Sequence, residues 1–494
     1  MPGERGQRRN VLCIVIDQLR ADVLQGGLAA AVPTPHLDAF AAGAAVFRHH
    51  HTVTMPCGPS RASLLTGQYP FNHGAVCNGT PLKRDAPNLA LAVRRLGYEP
   101  LLFGYTDTQP DPRGLAPRDP ARFSYTQPLQ GFTEIVEMRD EAWAWLAHLR
   151  ARGYDVPDAE SADFQRLYRP EGGRLGGKAL YGAEDSDTAF LTDETLKALD
   201  VRRGKNWFAL VSYIRPHPPF VAPAPYHALI DPAAMPKAQG PAPNHPFVEA
   251  YFSEPSAQDM VWGFDGQHEA LDDRDVALIR SIYGGLVAEV DHHVGRLLHW
   301  LEDSDQAEDT LVIITADHGE MLGDYGMWGK LTPFEQSHHV PLMIRDPSRG
   351  PATVEAPTAS VDIAPTILDW LGSQPPPAMD GGSLLPAMAG GGDPRSWVLV
   401  SFQLGDPTAA TRFERAWRVP AHLCSVVLQA SAQGLFVHFP GGLPPLVLAR
   451  GPSTVGTSDS RGAPTAEEVS HARGAILNHL LAHLMTGDRL EGMP

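Results

Sequence analysis

Val11-Leu12-Cys13-Ile14-Val15-Ile16 is an uninterrupted apolar run that stops at Asp17-Gln18. A strand with one face in water alternates apolar and polar residues. A strand that does not alternate is covered on both faces, as the central strands of a parallel sheet are. Trp207–Tyr213 and Thr310–Thr315 have the same character. The first leads into Arg215-Pro216-His217-Pro218-Pro219-Phe220 and the second into Ala316-Asp317-His318-Gly319-Glu320. Tyr98–Phe103 and Pro341–Arg345 read as further strands. Helical stretches separate them: Leu37–Val46, Leu89–Leu96 (Asn88 as N-cap, Gly97 as stop), Glu134–Arg152, Asp187–Leu199, Asp272–Glu302 and Val361–Leu371. A Gly284-Gly285 pair is expected to break or kink the longest of these. Strands alternating with helices predict an α/β fold, a large mixed, mostly parallel sheet sandwiched by helices. Residues 375–395, rich in Gly and Pro, mark a boundary. The expected organisation is a main domain over residues 1–385 and a smaller C-terminal α+β subdomain over 386–494, with short strands and a terminal helix at Ala466–Leu484.

Size and charge narrow the class. The chain has 494 residues, 43% hydrophobic and 20% charged, which is ample for a large core and too apolar for disorder. A net charge of −17 argues against a nucleic-acid surface. Four cysteines, Cys13, Cys57, Cys77 and Cys424, show neither framework spacing nor a Cys-x-x-Cys pair, so a secreted disulfide scaffold is not expected. The polar, basic start followed by a short apolar run is no signal peptide, and no stretch reaches the length of a membrane span. The expectation is a cytoplasmic protein with neither nucleic acid nor membrane as partner.

Cys57-Gly58-Pro59-Ser60-Arg61 opens a short helical run through Ala62, Leu64 and Leu65. Pro59 suits a first turn, so Cys57 is expected at a helix N-terminus, where free N–H groups favour an anion. Asp17-Gln18 and Asp317-His318 each follow a buried strand, and open α/β sheets bind ligands beyond the carboxyl ends of their strands. If the two strands are neighbours, two carboxylates, an amide oxygen and an imidazole converge. That donor set suits Ca²⁺, Mg²⁺ or Mn²⁺. Either pair alone is more simply a turn or a helix cap; two pairs with Cys57 favour a metal site.

The Cys57 segment, continuing through Ala62-Ser63-Leu64-Leu65-Thr66-Gly67, resembles the Cys-x-Pro-Ser-Arg signature of the sulfatases, a family of the alkaline-phosphatase superfamily. Gly329-Lys330 and Asp362-Ile363-Ala364-Pro365-Thr366 extend the likeness. Within the family the chain is most similar to the phosphonate monoester hydrolases, which also cleave phosphodiesters and sulfate esters. Four features carry that: Asp17-Gln18, Asp317-His318, Gly104-Tyr105-Thr106 with Pro110-Asp111-Pro112-Arg113, and the Arg215–Phe220 segment with His217. Asp107 departs from the pattern, which has Thr there; Thr108 is the alternative for that role.

The resemblance implies an alkaline-phosphatase-like fold and a hydrolase whose Cys57 is oxidised by a separate maturation enzyme to formylglycine, with the aldehyde hydrate as nucleophile. It implies one divalent metal ion held by Asp17, Gln18, Asp317, His318 and the position-57 hydrate. Asp317 is the implied proton acceptor, Arg61 and Lys330 the implied anion partners, and His217 and Lys330 the candidates to protonate the leaving oxygen. Tyr105, a neutral donor, would suit singly charged esters. Asp107, Thr108 and Asn78 are weaker substrate-binding candidates. The substrate class is a small anionic ester: a phosphonate monoester or phosphodiester, with promiscuous sulfate monoester hydrolysis. A dedicated arylsulfatase and a catalytically inactive binding scaffold are the alternatives. Long excursions at 109–130, 155–185 and 221–265 suit homo-oligomer contacts, and the family implies a dimer or tetramer. The histidine runs at 49–51, 292–293 and 338–339, together with Cys13, Cys77 and the Trp143/Trp145 helix, read as packing or loop groups, although one of His338 and His339 is placed to line the site.

Overall fold

The computed structural model describes residues 9–119, 127–139, 142–156, 167, 169–253, 271–392, 394–403, 425–431, 434–438 and 446–449. Fourteen strands occur among them. In chain order they are β1 (Asn10–Ile16), β2 (Ala45–Phe47), β3 (His50–His51), β4 (Pro100–Gly104), β5 (Thr133–Glu137), β6 (Phe208–Tyr213), β7 (Thr310–Ala316), β8 (Leu342–Arg345), β9 (Ala352–Val354), β10 (Thr358–Ala359), β11 (Trp397–Gln403), β12 (Ser425–Ser431), β13 (Gly434–His438) and β14 (Leu446–Ala449). Eight form the main sheet in the order β5-β4-β6-β1-β7-β8-β2-β9. Every neighbouring pair is parallel except those made by β8, which runs antiparallel to both β7 and β2.

The central strands are apolar throughout because the sheet separates two cores. Leu12, Ile14 and Ile16 point into one hydrophobic cluster, with Tyr283, Leu286 and Val290 of the long helix Asp273–Asp303. Val11, Cys13 and Val15 point into the other, with Leu64 and Leu65 of the Cys57–Thr66 helix and Ile363 and Ile367 behind it. Each such side chain, fully buried, is worth roughly 1.5–3 kcal/mol. The expected α/β architecture is therefore the observed one.

Register places the site. β1 lies between β6 and β7, with Ile16 opposite both Tyr213 and Ala316. The segments after these three strands, at Asp17, Arg215 and Asp317, thus leave the same edge of the sheet side by side. The antiparallel sheet β11-β12-β13-β14 packs through Val398, Val400, Phe402 and Leu428 on a third cluster that includes Val53, Met321 and Phe334. Ser401 N also donates to Val53 O at 2.9 Å.

Several local expectations change. Glu134–Arg152 is not one helix: β5 occupies Thr133–Glu137 as the sheet's edge, and the helix runs only over Trp143–Ala151. Residues 37–46 divide between the helix Pro35–Ala42 and β2. The Gly284-Gly285 pair does not break Asp273–Asp303, which is one continuous helix. The two glycines instead let other chain segments approach: a Cβ on Gly285 would overlap Tyr226 O, and one on Gly284 would stand 2.6 Å from Ile230 Cδ1. The 221–265 excursion contains a helix, Pro246–Ser253, and 3₁₀ turns at Tyr226–Ala228 and Pro232–Ala234. The terminal helix expected at 466–484 and parts of the three long excursions lie outside the described residues. Among the described residues no helix is long and apolar enough to cross a membrane.

Candidate active site

The Cys57–Thr66 helix starts at Cys57 itself and ends on the left-handed Gly67. Every residue of it is buried. Ser60 Oγ ties it to the β7 end by donating to Asp317 O at 2.6 Å, and Thr52 Oγ1 meets the same hydroxyl at 2.8 Å. Asn78 Oδ1 accepts from Gly58 N at 2.9 Å. Asn78 thus satisfies one of the free N–H groups of the first turn from outside the helix.

Around Cys57 the predicted residues converge. Cys57 Sγ lies 3.2 Å from His318 Nε2 and 3.0 Å from Lys330 Nζ. Lys330 Nζ also lies 3.1 Å from Gln18 Oε1 and 3.2 Å from His217 Nε2. One ligand atom each from Asp17, Cys57, Asp317 and His318 lie within 4.8 Å of one another, all on buried residues. His318 Nδ1 sits 3.1 Å from Gly319 O, which makes Nδ1 the protonated nitrogen and leaves the Nε2 lone pair facing Cys57. Burial, with the Lys330 charge, holds His318 well below the usual histidine range.

Arg61 organises the two carboxylates. Its Nε donates to Asp317 Oδ2 at 2.9 Å and its Nη2 to Asp17 Oδ2 at 3.1 Å. Its Nη1 donates to Ser212 Oγ at 2.6 Å and to Tyr105 O at 3.2 Å. The guanidinium stacks on the Tyr105 ring, 4.1 Å from its centroid. Tyr105 Oη donates to Asp17 Oδ2. The hydroxyl expected to face a substrate anion is therefore committed to a carboxylate, and Arg61 faces carboxylates on the ends of two strands. Burial raises the Tyr105 hydroxyl pKa well above its usual value, so the proton stays on it.

Asp17 Oδ1 is buried with no hydrogen-bond partner among the described residues. It stands 3.7 Å from His318 Nε2. An ionised oxygen orphaned in the interior costs several kcal/mol unless a cation meets it. With the imidazole lone pair, Asp317 and position 57 beside it, this donor set fits a divalent cation.

Gln18 has a left-handed backbone, φ 66°. Its N–H donates to Asp317 Oδ1 at 3.1 Å, and its carbonyl accepts from Tyr283 Oη at 2.9 Å. His217 is half-buried on the β6 side, with Nδ1 2.7 Å from Pro218 O. Arg215 holds that turn: its Nη1 donates to His217 O and Pro219 O, and its Nε pairs with Asp187 Oδ2 at 3.0 Å in the interior. Thr108 Oγ1 donates to Gln127 O at 2.9 Å and so serves its own loop. Asp107, φ 48°, lies against the nucleophile helix: a Cβ on Gly58 would be 2.9 Å from Asp107 O. The negative charge of Asp107 contributes to the upward shifts of Cys57, Arg61 and Tyr105.

Sequence reasoning missed two groups. Ser212 meets Arg61 from inside β6, and no local pattern marks it. Glu320 stands two residues beyond His318 in the same turn. In the remaining histidine runs, His51 Nδ1 lies 3.1 Å from His338 Nδ1, whereas His50 Nδ1 lies 3.0 Å from Thr358 Oγ1. Trp145 is core, donating to Asp185 O at 2.8 Å, whereas Trp143 is 47% exposed. Cys13 is buried in β1, which pushes its thiol up to about 12.

The sequence profile of the family described as Sulfatase matches residues 9–373. The chain is 36% identical over 460 residues to the multifunctional alkaline phosphatase superfamily protein PehA of Trinickia caryophylli, covering 89% of this chain and 88% of that protein. Among solved structures, the phosphonate monoester hydrolase of Silicibacter pomeroyi superimposes with a TM-score of 0.87 at 43% identity, covering 98% of this chain and 96% of that one. The phosphonate monoester hydrolase of Agrobacterium radiobacter gives 0.85 at 36% identity, covering 97% and 96%.

Proposed function

The chain belongs to the sulfatase family, and from that premise we propose that it is a metal-dependent, formylglycine-bearing hydrolase of phosphonate monoesters and phosphodiesters, with sulfate monoesters as promiscuous substrates. The observation that carries this is the position of Cys57 Sγ. It is 3.0 Å from an ammonium, 3.2 Å from an imidazole nitrogen, and part of a four-residue seat for a cation. A thiol there is a poor nucleophile, since burial and the Asp17 charge push it well above the ordinary cysteine range. Sγ stands in for the oxygens of the aldehyde hydrate.

A hydrated aldehyde at position 57 supplies an attacking hydroxyl, and a divalent ion on Asp17, Gln18, Asp317 and His318 supplies positive charge beside the transferring group. Ca²⁺, Mn²⁺ and Mg²⁺ suit mostly oxygen donors. The remaining work belongs to side chains. Asp317, adjoining the nucleophile, receives its proton. Arg61 orients Asp17 and Asp317. Lys330 faces the anion and hands a proton to the leaving oxygen. Burial, with the Lys330 charge beside it, lowers the His217 pKa; Nδ1 is turned to Pro218 O, so neutral His217 accepts from the ammonium and aims it. Little positive charge remains uncommitted around the nucleophile, which suits substrates with a single negative charge.

The same reading makes the formylglycine maturation enzyme a partner, a dimer or tetramer the assembly and the cytoplasm the compartment. Two measurements test it. Mass spectrometry of the Cys57 peptide, after co-expression with a maturation enzyme, is expected to show the aldehyde; an unmodified thiol in a metal-free protein would instead support an inactive scaffold. Catalytic efficiencies on matched aryl phosphonate and aryl sulfate esters are expected to favour the phosphonate. A preference for sulfate by orders of magnitude would make the enzyme a dedicated arylsulfatase.

A further inference from the structure

Glu320 is fully buried, and each of its oxygens has a defined task. Oε2 accepts from Gln18 Nε2. Oε1 accepts from Gly329 N at 2.6 Å and from Leu322 N at 3.0 Å. The turn that carries it is held by Arg20, whose Nη1 donates to Glu320 O at 3.2 Å and Met321 O at 3.0 Å.

A glutamine amide is nearly the same shape either way round, so chemistry decides which end faces where. Oε1 of Glu320 is taken up by two backbone N–H groups, and Gln18 turns its NH2 end to Oε2. That turns Gln18 Oε1 to the other side, where it lies 3.1 Å from Lys330 Nζ, which is itself 3.0 Å from Cys57 Sγ. The reversed amide would aim two N–H groups at an ammonium and at a metal ion. The same carboxylate fixes Gly329, and with it the start of the Lys330 side chain.

We propose that Glu320 is a positioning residue that selects the metal-binding end of the Gln18 amide and, through Gly329, sets Lys330 beside it. Glu320 lies outside the four-residue group around Cys57 and reaches the ion's ligands through Gln18. The inference rests on the metal-dependent reading given above.

A reciprocal exchange tests it. In Glu320→Gln the new amide keeps its oxygen on the two backbone N–H groups and presents NH2 to Gln18, so Gln18 must flip. In the double variant Gln18→Glu/Glu320→Gln that NH2 donates to the carboxylate introduced at position 18, which has no wrong end. Mn²⁺ and Ca²⁺ are titrated separately by calorimetry into the chelator-stripped full-length protein, with thermal melting to report the fold. The expected result is metal affinity at least tenfold weaker in Glu320→Gln and restored to within about threefold of wild type, or tighter, in the double variant. Wild-type affinity in Glu320→Gln, or a double variant no tighter than that single variant, would overturn the proposal. A wild-type protein that binds neither ion would instead remove the metal-dependent reading beneath it.

Discussion

Lys330 Nζ lies 3.2 Å from His217 Nε2, and the ammonium is the donor in that contact. Burial works against the charge on Lys330, but Cys57, Asp17 and Asp317 outweigh it and raise its pKa. Burial and the same Lys330 charge hold His217 below its usual value. One group thus keeps the proton and the other directs it. Lys330→Ala is expected to lower kcat roughly 100- to 1,000-fold on alkyl esters, whose leaving oxygen needs a proton. Nitrophenyl esters should lose far less. The check is the dependence of rate on leaving-group pKa, which should steepen; an equal loss across the series would place Lys330 outside proton transfer.

Asp107 brings negative charge to a centre that binds anions. Asp107→Asn keeps the shape and removes the charge. We expect kcat/KM on a singly charged ester to rise about fivefold, mostly through KM, the scale of one partly screened charge. Steady-state kinetics on phosphonate and sulfate esters measures it. A fall would show that the carboxylate serves the substrate.

The two glycines inside the Asp273–Asp303 helix face different obstacles. A side chain at 285 meets backbone at Tyr226, which cannot move without shifting its turn, whereas one at 284 meets the end of Ile230. Gly285→Ala should destabilise by about 3 kcal/mol and Gly284→Ala by about 1 kcal/mol, despite the better helix propensity of Ala. Thermal melting of the two variants would separate this from a kink, which both substitutions would simply straighten.

His73 is fixed as a neutral ring. Its Nδ1 accepts from Ala75 N at 3.1 Å, and its Nε2 lies 2.8 Å from Ser63 Oγ. Burial pushes it down to about 3. A folded-state pKa below the unfolded value of about 6.5 means that the unfolded chain binds the proton first. The contribution is therefore whole above about pH 6.5 and is lost as pH falls towards 3. At pH 5 the loss is about 2 kcal/mol. His73→Gln should flatten the acid limb of a Tm-against-pH curve by that much.

The strands at the centre were legible because burial on both faces erases alternation, and Val11–Ile16 and Thr310–Thr315 show it plainly. Their order was not, since nothing local says that β1 lies between β6 and β7. β5 was misread for the opposite reason. Thr133–Glu137 is a half-covered edge strand whose mixed residues run on towards a real helix, and the sum imitates one amphipathic period. The residues drawn around Cys57 were found through the signature and the strand-end pairs. Arg61 and Tyr105 were found as residues but not as partners of Asp17. Ser212 and Glu320 act across gaps of 151 and 302 residues, on Arg61 and Gln18, and such meetings leave no mark along the chain.

Arg61 binds one carboxylate from the end of β1 and one from the end of β7, so a side chain of the nucleophile helix answers their mutual repulsion. The chain's own residues thus hold the two carboxylates of the seat in place. Chelation is expected to abolish turnover while leaving far-UV circular dichroism unchanged and lowering Tm only by the ligand-linked amount, RT ln(1 + [L]/Kd). Arg61→Ala is expected to do the reverse, losing the fold around Asp17 and Asp317 whether or not metal is supplied. With Arg61 already between the two carboxylates, an ion that binds there meets donors that are in place.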